Sequence, residues 1–398
     1  MNIITPEEVQ QFRAETNGTV NKIHFNNAGA SFPANIVLET IIDYLQEEAI
    51  NGGYETEAKY TQQLANTYSN IARLLNAGTD EIVLVENAST AWGIAFNGIT
   101  FGPGDEIITS ELEYSTNVIG FLNAKKLHGV VIKLIPNDQY GDFDMAAFEK
   151  AISIKTKLIA ITHIASTTGG MAPIIEIGKI ALKHNILYLV DACQSVGQFP
   201  LDVKEIGCDM LSVTGRKYLR GPRGMGFLFV KNEVQDSLKV SYMDSFTADL
   251  VSTSEFKLRD DARRFELYEK SRALTLGLSK AVEYALAIGL DRIWQRIQYL
   301  AELLRHRLSI IKGVILHDHG SQKSGIITFT VDAVESLIIK DKLAEIGINV
   351  SVGNPASTMY FMSKHHLKSV VRASVHYYNT EQEITYLCKA ICQITGDI

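Results

Sequence analysis

The stretch LSVTGRKYLRGPRGMGFLFV, residues 211–230, decides how this chain is read. Two apolar runs, Met210–Val213 and Gly226–Val230, flank a glycine-rich turn, and one lysine, Lys217, stands in that turn. Lysine rarely enters a segment of this texture unless it is paired or chemically used. A solvated loop charge is the plain alternative. Upstream, the run ILYLV at 186–190 ends in Asp191, inside VDACQSVGQ. An apolar strand therefore delivers a carboxylate, a second short strand follows, and the lysine comes next.

Outward from this centre, short β-branched strands alternate with helical stretches. Glu81–Val85, Asp105–Thr109, Val130–Leu134 and Leu158–His163 read as strands, and helices open near Ser89 and Pro173. Such alternation predicts a mostly parallel central sheet covered by helices, an α/β fold. From about Phe265 the texture changes. One long helical pattern runs from Ser271 to roughly Leu308. The strand Ile326–Val331, the helix Leu337–Glu345, the strand Val370–Ser374 and a closing helix Thr380–Ile394 follow, with Thr380 as N-cap. The expected division is an N-terminal segment, 1–24, packing with the small domain, a large α/β domain over 25–270, and a smaller C-terminal α+β domain over 271–398.

Bulk composition narrows the function classes. The chain has 398 residues, 46% hydrophobic and 21% charged, with a formal net charge of -7. No basic field dominates, so no nucleic-acid partner is expected. No apolar run reaches the ~18 residues that span a bilayer, so no membrane role is expected. The opening MNIITPEEVQQF carries neither a basic nor an apolar leader pattern. The four cysteines, at 193, 208, 388 and 392, form no CxxC and no disulfide framework. A cytoplasmic setting is the expectation. Cys388 and Cys392 lie on one amphipathic helix and read as core. No metal site is expected: the pairs His317/His319 and His365/His366 have no joining carboxylate or cysteine spacing.

Ligands of open α/β sheets bind beyond the carboxyl ends of the strands. Asp191 falls there, as do Glu113 and Tyr114 after one strand and His163 and Ser166 after another. Ser89 and Thr90 open a helix, and Lys217 sits on a later loop. Together these residue types suit pyridoxal phosphate. The lysine amine forms a Schiff base. The carboxylate keeps the pyridine nitrogen protonated so that the ring accepts electrons. The free N–H groups of the helix start hold the phosphate. Each piece alone has a plain alternative, a turn cap, a solvated charge or an N-cap. Their order raises the odds. A nicotinamide site is disfavoured, because Gly221–Gly226 precedes a strand and no GxGxxG opens a helix.

The segments DACQSVGQFPLDV and TGRKYLRGPRGMGFLFV, with HFNNAGASFP near the start and VVRASVHYYNT near the end, carry a resemblance. The chain resembles the class V aminotransferase superfamily of fold-type I pyridoxal-phosphate enzymes over nearly its whole length. That superfamily includes cysteine desulfurases, kynureninases and isopenicillin N epimerases. The resemblance implies that Lys217 is the Schiff-base lysine, that Asp191 partners the pyridine nitrogen, and that Gln194 bonds the cofactor's 3′ oxygen. It implies that Tyr114 stacks on the ring where desulfurases place a histidine. Thr214, Arg216, Ser89 and Thr90 would hold the phosphate, and Arg372 would hold the substrate α-carboxylate as a bidentate fork. Asn27 and Tyr54 are expected pocket walls for the amino-acid substrate. Homodimers with sites at the interface are implied as well.

Three departures matter. The region NVSVGNPASTMYFMSKHHLKSVVRAS holds no cysteine where desulfurases carry their sulfur-accepting one. Ser166 or Thr167 stands near the place of a family asparagine. The family's cross-subunit phosphate threonine is replaced in RRFELYEKS, where Glu269 stands near its position and Tyr268 or Ser271 could take over the contact. Cys193, between Asp191 and Gln194, reads as structural. On these grounds the expected reaction is Cα deprotonation of an amino acid through an external aldimine, followed by β-elimination of the C–S lyase type. The pattern looks closest to hercynylcysteine sulfoxide lyase and isopenicillin-epimerase-like proteins. Transamination and epimerisation on the same scaffold are the alternatives, and a sulfur-transferring desulfurase is not expected.

Overall fold

The computed structural model describes residues 3–396. Seven strands build the central sheet: β1 (Ile82–Val85), β2 (Glu106–Ser110), β3 (Val131–Ile135), β4 (Thr156–Thr162), β5 (Leu187–Asp191), β6 (Met210–Thr214) and β7 (Gly226–Val230). Their order across the sheet is β1-β7-β6-β5-β4-β2-β3. The pairs from β6 through β5, β4 and β2 to β3 are parallel, whereas β7 runs antiparallel to both neighbours. Parallel neighbours need a crossover, but β6 and β7 are joined by the short turn that carries Lys217. That turn has to lie at the carboxyl end of β6, beside the end of β5.

Side-chain alternation explains why the sheet is buried on both faces. Ile82, Leu84, Ile108, Ile159, Tyr188, Val190 and Leu211 join one apolar cluster. Val83, Val85, Ile107, Leu158, Leu189 and Met210 join another, with Trp92, Phe96 and Phe121 from the helices. Successive residues of a strand point to opposite faces. Runs such as LYLV therefore feed two cores at once, as expected of parallel strands covered on both sides.

The second unit is a four-stranded antiparallel sheet, β8 (Val314–Leu316), β9 (Ile326–Val331), β10 (Ser351–Gly353) and β11 (Val370–Ser374), ordered β8-β9-β11-β10. The closing helix, Glu381–Thr395, starts with a full capping box between Thr380 and Glu383. The N-terminal segment lies against this unit: Ile23–His24 pairs with Ile348–Asn349, and Arg13 bridges Glu383 at 2.8 Å.

The helical pattern over 271–308 is two helices, not one. Arg272–Ile288 ends at Gly289, whose φ of 94° is left-handed, and Leu290–Ser309 leaves at an angle of 79°. The apolar periodicity continues through the break, so it gave no sign of it. The first helix packs on Asn35–Asn51 and Thr61–Leu75, the second on the closing helix. No single helix among the described residues is long and apolar enough to cross a membrane.

Arg220 ties the units together. Its buried guanidinium donates to Phe32 O at 2.8 Å, to the Tyr377 hydroxyl at 2.5 Å and to Thr16 Oγ1 at 2.6 Å. It also lies over the rings of Tyr284, Tyr377 and Tyr378.

Candidate active site

The ends of β4, β5 and β6 open into one cavity, lined among others by Asp191, Gln194, Thr214, Arg216 and Lys217. Asp191 ends β5. Its Oδ1 accepts from Cys193 N at 2.9 Å and its Oδ2 from Asn117 Nδ2 at 3.1 Å. Three residues on, Gln194 donates to Ala28 O at 3.1 Å, and its buried Oε1 has no partner among the described residues. Ser166 Oγ is buried without a partner too. Unpaired buried polar atoms are costly and rare. Here they point into the cavity wall where a polar ligand would satisfy them.

Lys217 is held by its turn. Gly221 N donates to Gly215 O at 2.8 Å and Arg220 N to Lys217 O at 2.9 Å. Gly197, at φ 93°, lies so close that a Cβ there would stand 2.3 Å from Tyr218 C and Leu219 N. The turn after Gln194 thus seats directly on the lysine turn. The Lys217 amine makes no hydrogen bond or ion pair among the described residues. Burial lowers its pKa, the Arg216 and Arg372 charges lower it further, and Cys193 and Asp191 oppose them. Such an amine sheds its proton more easily than a surface lysine and is better suited to act as nucleophile or base.

The other end of the cavity is a helix start. Asn87 caps Ala88–Gly98, its Oδ1 accepting from Thr90 N at 3.0 Å. Ala88 and Ser89 line the cavity beside Thr214, Arg216, Arg223 and Gly224. A Cβ at Gly226 would stand 2.4 Å from Val213 O and 3.3 Å from Asn87 C, so only glycine lets the helix start approach this closely. Free N–H groups with neighbouring guanidinium charge make a phosphate cradle. Arg216 spends one nitrogen on Gly29 O at 2.5 Å.

Arg372 enters from β11. Its Nε donates to Ser351 Oγ at 3.0 Å and its Nη1 to Ser166 O at 2.9 Å. Tyr114 lines the cavity at 38% exposure, open enough for a ring to lie against it. The segment before β11 covers the same side. Ser115 N donates to Ser357 O at 3.3 Å, Thr167 and Thr358 share a hydroxyl bond of 2.7 Å, and Lys364 pairs with Glu111 at 2.7 Å. Because Thr167 is engaged there, Ser166 is the residue that faces the cavity.

Three sequence expectations are corrected. Thr90 bonds Asn87 and faces a neighbouring groove with Leu84 and Val85, whereas Asn87, Ala88 and Ser89 line the cavity that holds Lys217. Asn27 is buried and saturated: it donates to Ser374 O at 2.7 Å and to His24 O at 3.2 Å, and accepts from Tyr378 OH at 2.5 Å. It is a strut and not a pocket wall. Tyr54 is 72% exposed in a separate groove with Tyr268, Glu269 and Ser271. Within one chain it does not reach Lys217. Sequence reading missed the roles of Asn87, Asn117 and Arg223 in lining the cavity.

A seven-stranded α/β sheet with a lysine turn, a strand-end aspartate and a helix-start cradle defines a fold-type I pyridoxal-phosphate enzyme. The chain belongs to the family described as "Aminotransferase class-V", which matches residues 23–387. It is 31% identical to the protein named "Probable cysteine desulfurase" of Methanothermobacter thermautotrophicus over 366 residues, 90% of this chain and 91% of the relative. It is 28% identical to the protein of the same name from Halalkalibacterium halodurans over 95% of this chain and 94% of the relative. The apo structure of the cysteine desulfurase from Thermococcus onnurineus superposes with a TM-score of 0.92 at 25% identity, covering 100% of this chain and 99% of that one.

These likenesses overturn the expectation that the chain is not a sulfur-transferring desulfurase, and with it the preference for β-elimination. That expectation rested on one missing loop cysteine. Such a residue supplies the thiol that receives the sulfur, and a thiol from outside the chain can take its place without any change to the lysine, the aspartate or the cavity between them. The cofactor is pyridoxal 5'-phosphate, and the residues fit it. Asp191 would hold the ring nitrogen, and the Ser166 hydroxyl, beside the Gln194 amide, would reach the ring's 3′ oxygen. Ser89, Thr214 and Arg216, which line the other end, would hold the phosphate.

Proposed function

We propose that this enzyme is a cysteine desulfurase, converting L-cysteine and a thiol into L-alanine and a persulfide. The observation that carries the reading is the partnerless, charge-destabilised Lys217 amine facing Asp191 in the cavity. The names of relatives at 31% and 28% identity support sulfur as the group removed.

When bound, pyridoxal phosphate supplies the electron sink that lets a proton leave Cα. The chain supplies the rest. Arg372, fixed by Ser351 and Ser166, keeps guanidinium N–H groups for the substrate carboxylate. With the cofactor in place, Lys217 would take the Cα proton and could return it. Asp191 holds the proton on the ring nitrogen. An incoming thiolate then attacks the substrate sulfur. The S–S bond forms as the C–S bond breaks, Cβ keeps that electron pair and gains a proton, and alanine leaves.

The acceptor thiol comes from outside. Residues 350–369 hold no cysteine. Cys193 lines the cavity, but burial, aided by Asp191, raises its thiol pKa well above the usual value. A thiol held protonated is a poor nucleophile. We further propose a homodimer. Leu38, Ile42 and Leu45 leave an apolar stripe exposed on the helix Asn35–Asn51, a surface that suits a second copy.

The deciding experiment feeds L-cysteine to the holoenzyme with and without a small thiol, and measures alanine, pyruvate and persulfide sulfur. Alanine and sulfur in equal amounts, dependent on the thiol, are expected. Pyruvate and ammonia in place of alanine would overturn the reading.

A further inference from the structure

Behind Asp191 the fold buries a second carboxylate that no step of the reaction touches. Glu113 follows the end of β2 and is 1% exposed. Five donors converge on it: Thr109 Oγ1 at 3.0 Å, Tyr114 N at 3.0 Å, Thr162 N at 3.1 Å, the Thr162 hydroxyl, and Asn117 Nδ2 at 2.7 Å. The same Asn117 Nδ2 donates to Asp191 Oδ2 at 3.1 Å. One side-chain amide thus spends both of its N–H bonds on two carboxylates.

This arrangement fixes the amide. Flipping Asn117 would set its Oδ1 against two carboxylate oxygens, so the donor orientation is the one the network permits. Asn117 is itself 2% exposed and lies on the first turn of Ser115–His128, four residues after Glu113. The geometry also sorts the two acids. Asp191 opens into the cavity, whereas Glu113 is enclosed among threonines and the amide. Burial pushes the Glu113 pKa up to about 7, with the Asp191 charge adding to it and the Thr162 and Asn117 bonds opposing.

We propose that Glu113 and Asn117 are positioning residues for Asp191: the glutamate anchors the amide, and the amide holds the aspartate carboxylate toward the cofactor ring nitrogen. Neither touches the substrate. They act on how firmly that nitrogen keeps its proton. The pair stands on the cofactor assignment alone and is independent of which amino acid is cleaved.

The test reconstitutes holoenzyme with cofactor labelled at the ring nitrogen and reads that nitrogen by NMR, with apoprotein melting in parallel. In the unaltered protein the signal is that of a protonated ring. Asn117→Ala should move it toward the unprotonated form and weaken cofactor retention roughly tenfold, as loss of an orienting partner does at metal sites. Glu113→Gln keeps an acceptor for the amide and should move the signal less than Glu113→Ala. Should Glu113→Ala fail to fold, Asn117→Ala and Glu113→Gln carry the test. A ring signal unchanged in Asn117→Ala, with only the apoprotein melting point lowered, would reduce the pair to packing and end the proposal.

Discussion

The two ends of the cofactor cavity are made of different material. At the ring end Asp191, Gln194, Glu113 and Asn117 are buried and bonded to one another or to backbone. At the phosphate end Asn87, Ser89, Arg223 and Gly224 are exposed, and the contacts on offer are helix N–H groups and guanidinium charge. The ring end is finished by the fold of one chain. The phosphate end is left open, and its cations gain their full value when an anion arrives. Chemistry is therefore set where the protein is rigid, and cofactor retention where it is wet and screened by salt.

The largest effects should come from the rigid end. Lys217→Ala should remove the visible cofactor band and cut alanine formation by about 10³-fold or more, as loss of a nucleophile and base does. Asp191→Asn should cost a comparable factor in kcat while the cofactor stays attached through its phosphate. Absorbance and turnover on the same sample separate the two. An Asp191→Asn enzyme that loses its cofactor instead would break the division between the ends. At the mouth, Arg372→Lys keeps the charge and loses the fork. It should raise the KM for cysteine about tenfold or more, at a smaller loss of kcat.

Stability against pH sharpens the comparison within the rigid end. The Glu113 pKa is raised to about 7, so its contribution is full below the ordinary carboxylate range and is lost as pH rises through about 7. His163 is buried against Ser195 and pushed down to about 3 by desolvation. Its contribution is full above the ordinary histidine range and is lost as pH falls toward about 3. The two oppose each other between pH 5 and 6. Urea melts of apoprotein should show Glu113→Gln gaining stability with pH in that window more steeply than the unaltered chain. Across that one-unit window the difference should not exceed about 1.4 kcal/mol. The smallest expected effects lie at the helix start. Asn87→Ala should cost about 1 kcal/mol of stability and weaken the cofactor. Thr90→Ala, turned to the neighbouring groove, should leave cofactor affinity unchanged.

Much of the site was legible because its residues sit beside one another in sequence. Asp191 and Gln194 share one turn, and Thr214, Arg216 and Lys217 share another, so two short motifs located five cavity residues. The sheet was legible for the same reason, since each strand declares itself in a short, β-branched or largely apolar run of four to seven residues. What stayed hidden depends on contacts between distant segments. Asn117 reads as an ordinary helix-start residue until β5 places Asp191 3.1 Å away. Asn27 looked free because nothing in HFNNAGA shows that Ser374, His24 and Tyr378 close around it. Gly289 broke a helix whose apolar period continued on both sides, and a period reports burial, not direction.

Arg220 has a mechanical consequence. Three residues past Lys217, its head group is bolted to the N-terminal segment at Thr16, to the backbone at Phe32 and to Tyr377 just beyond β11. No carboxylate pairs it among the described residues, and a guanidinium does not give up its proton, so no change of pH loosens the joint. The turn that carries the lysine therefore has no independent travel. A displacement of Tyr377 or of the Thr16 segment would be felt at once in the turn from which Lys217 reaches.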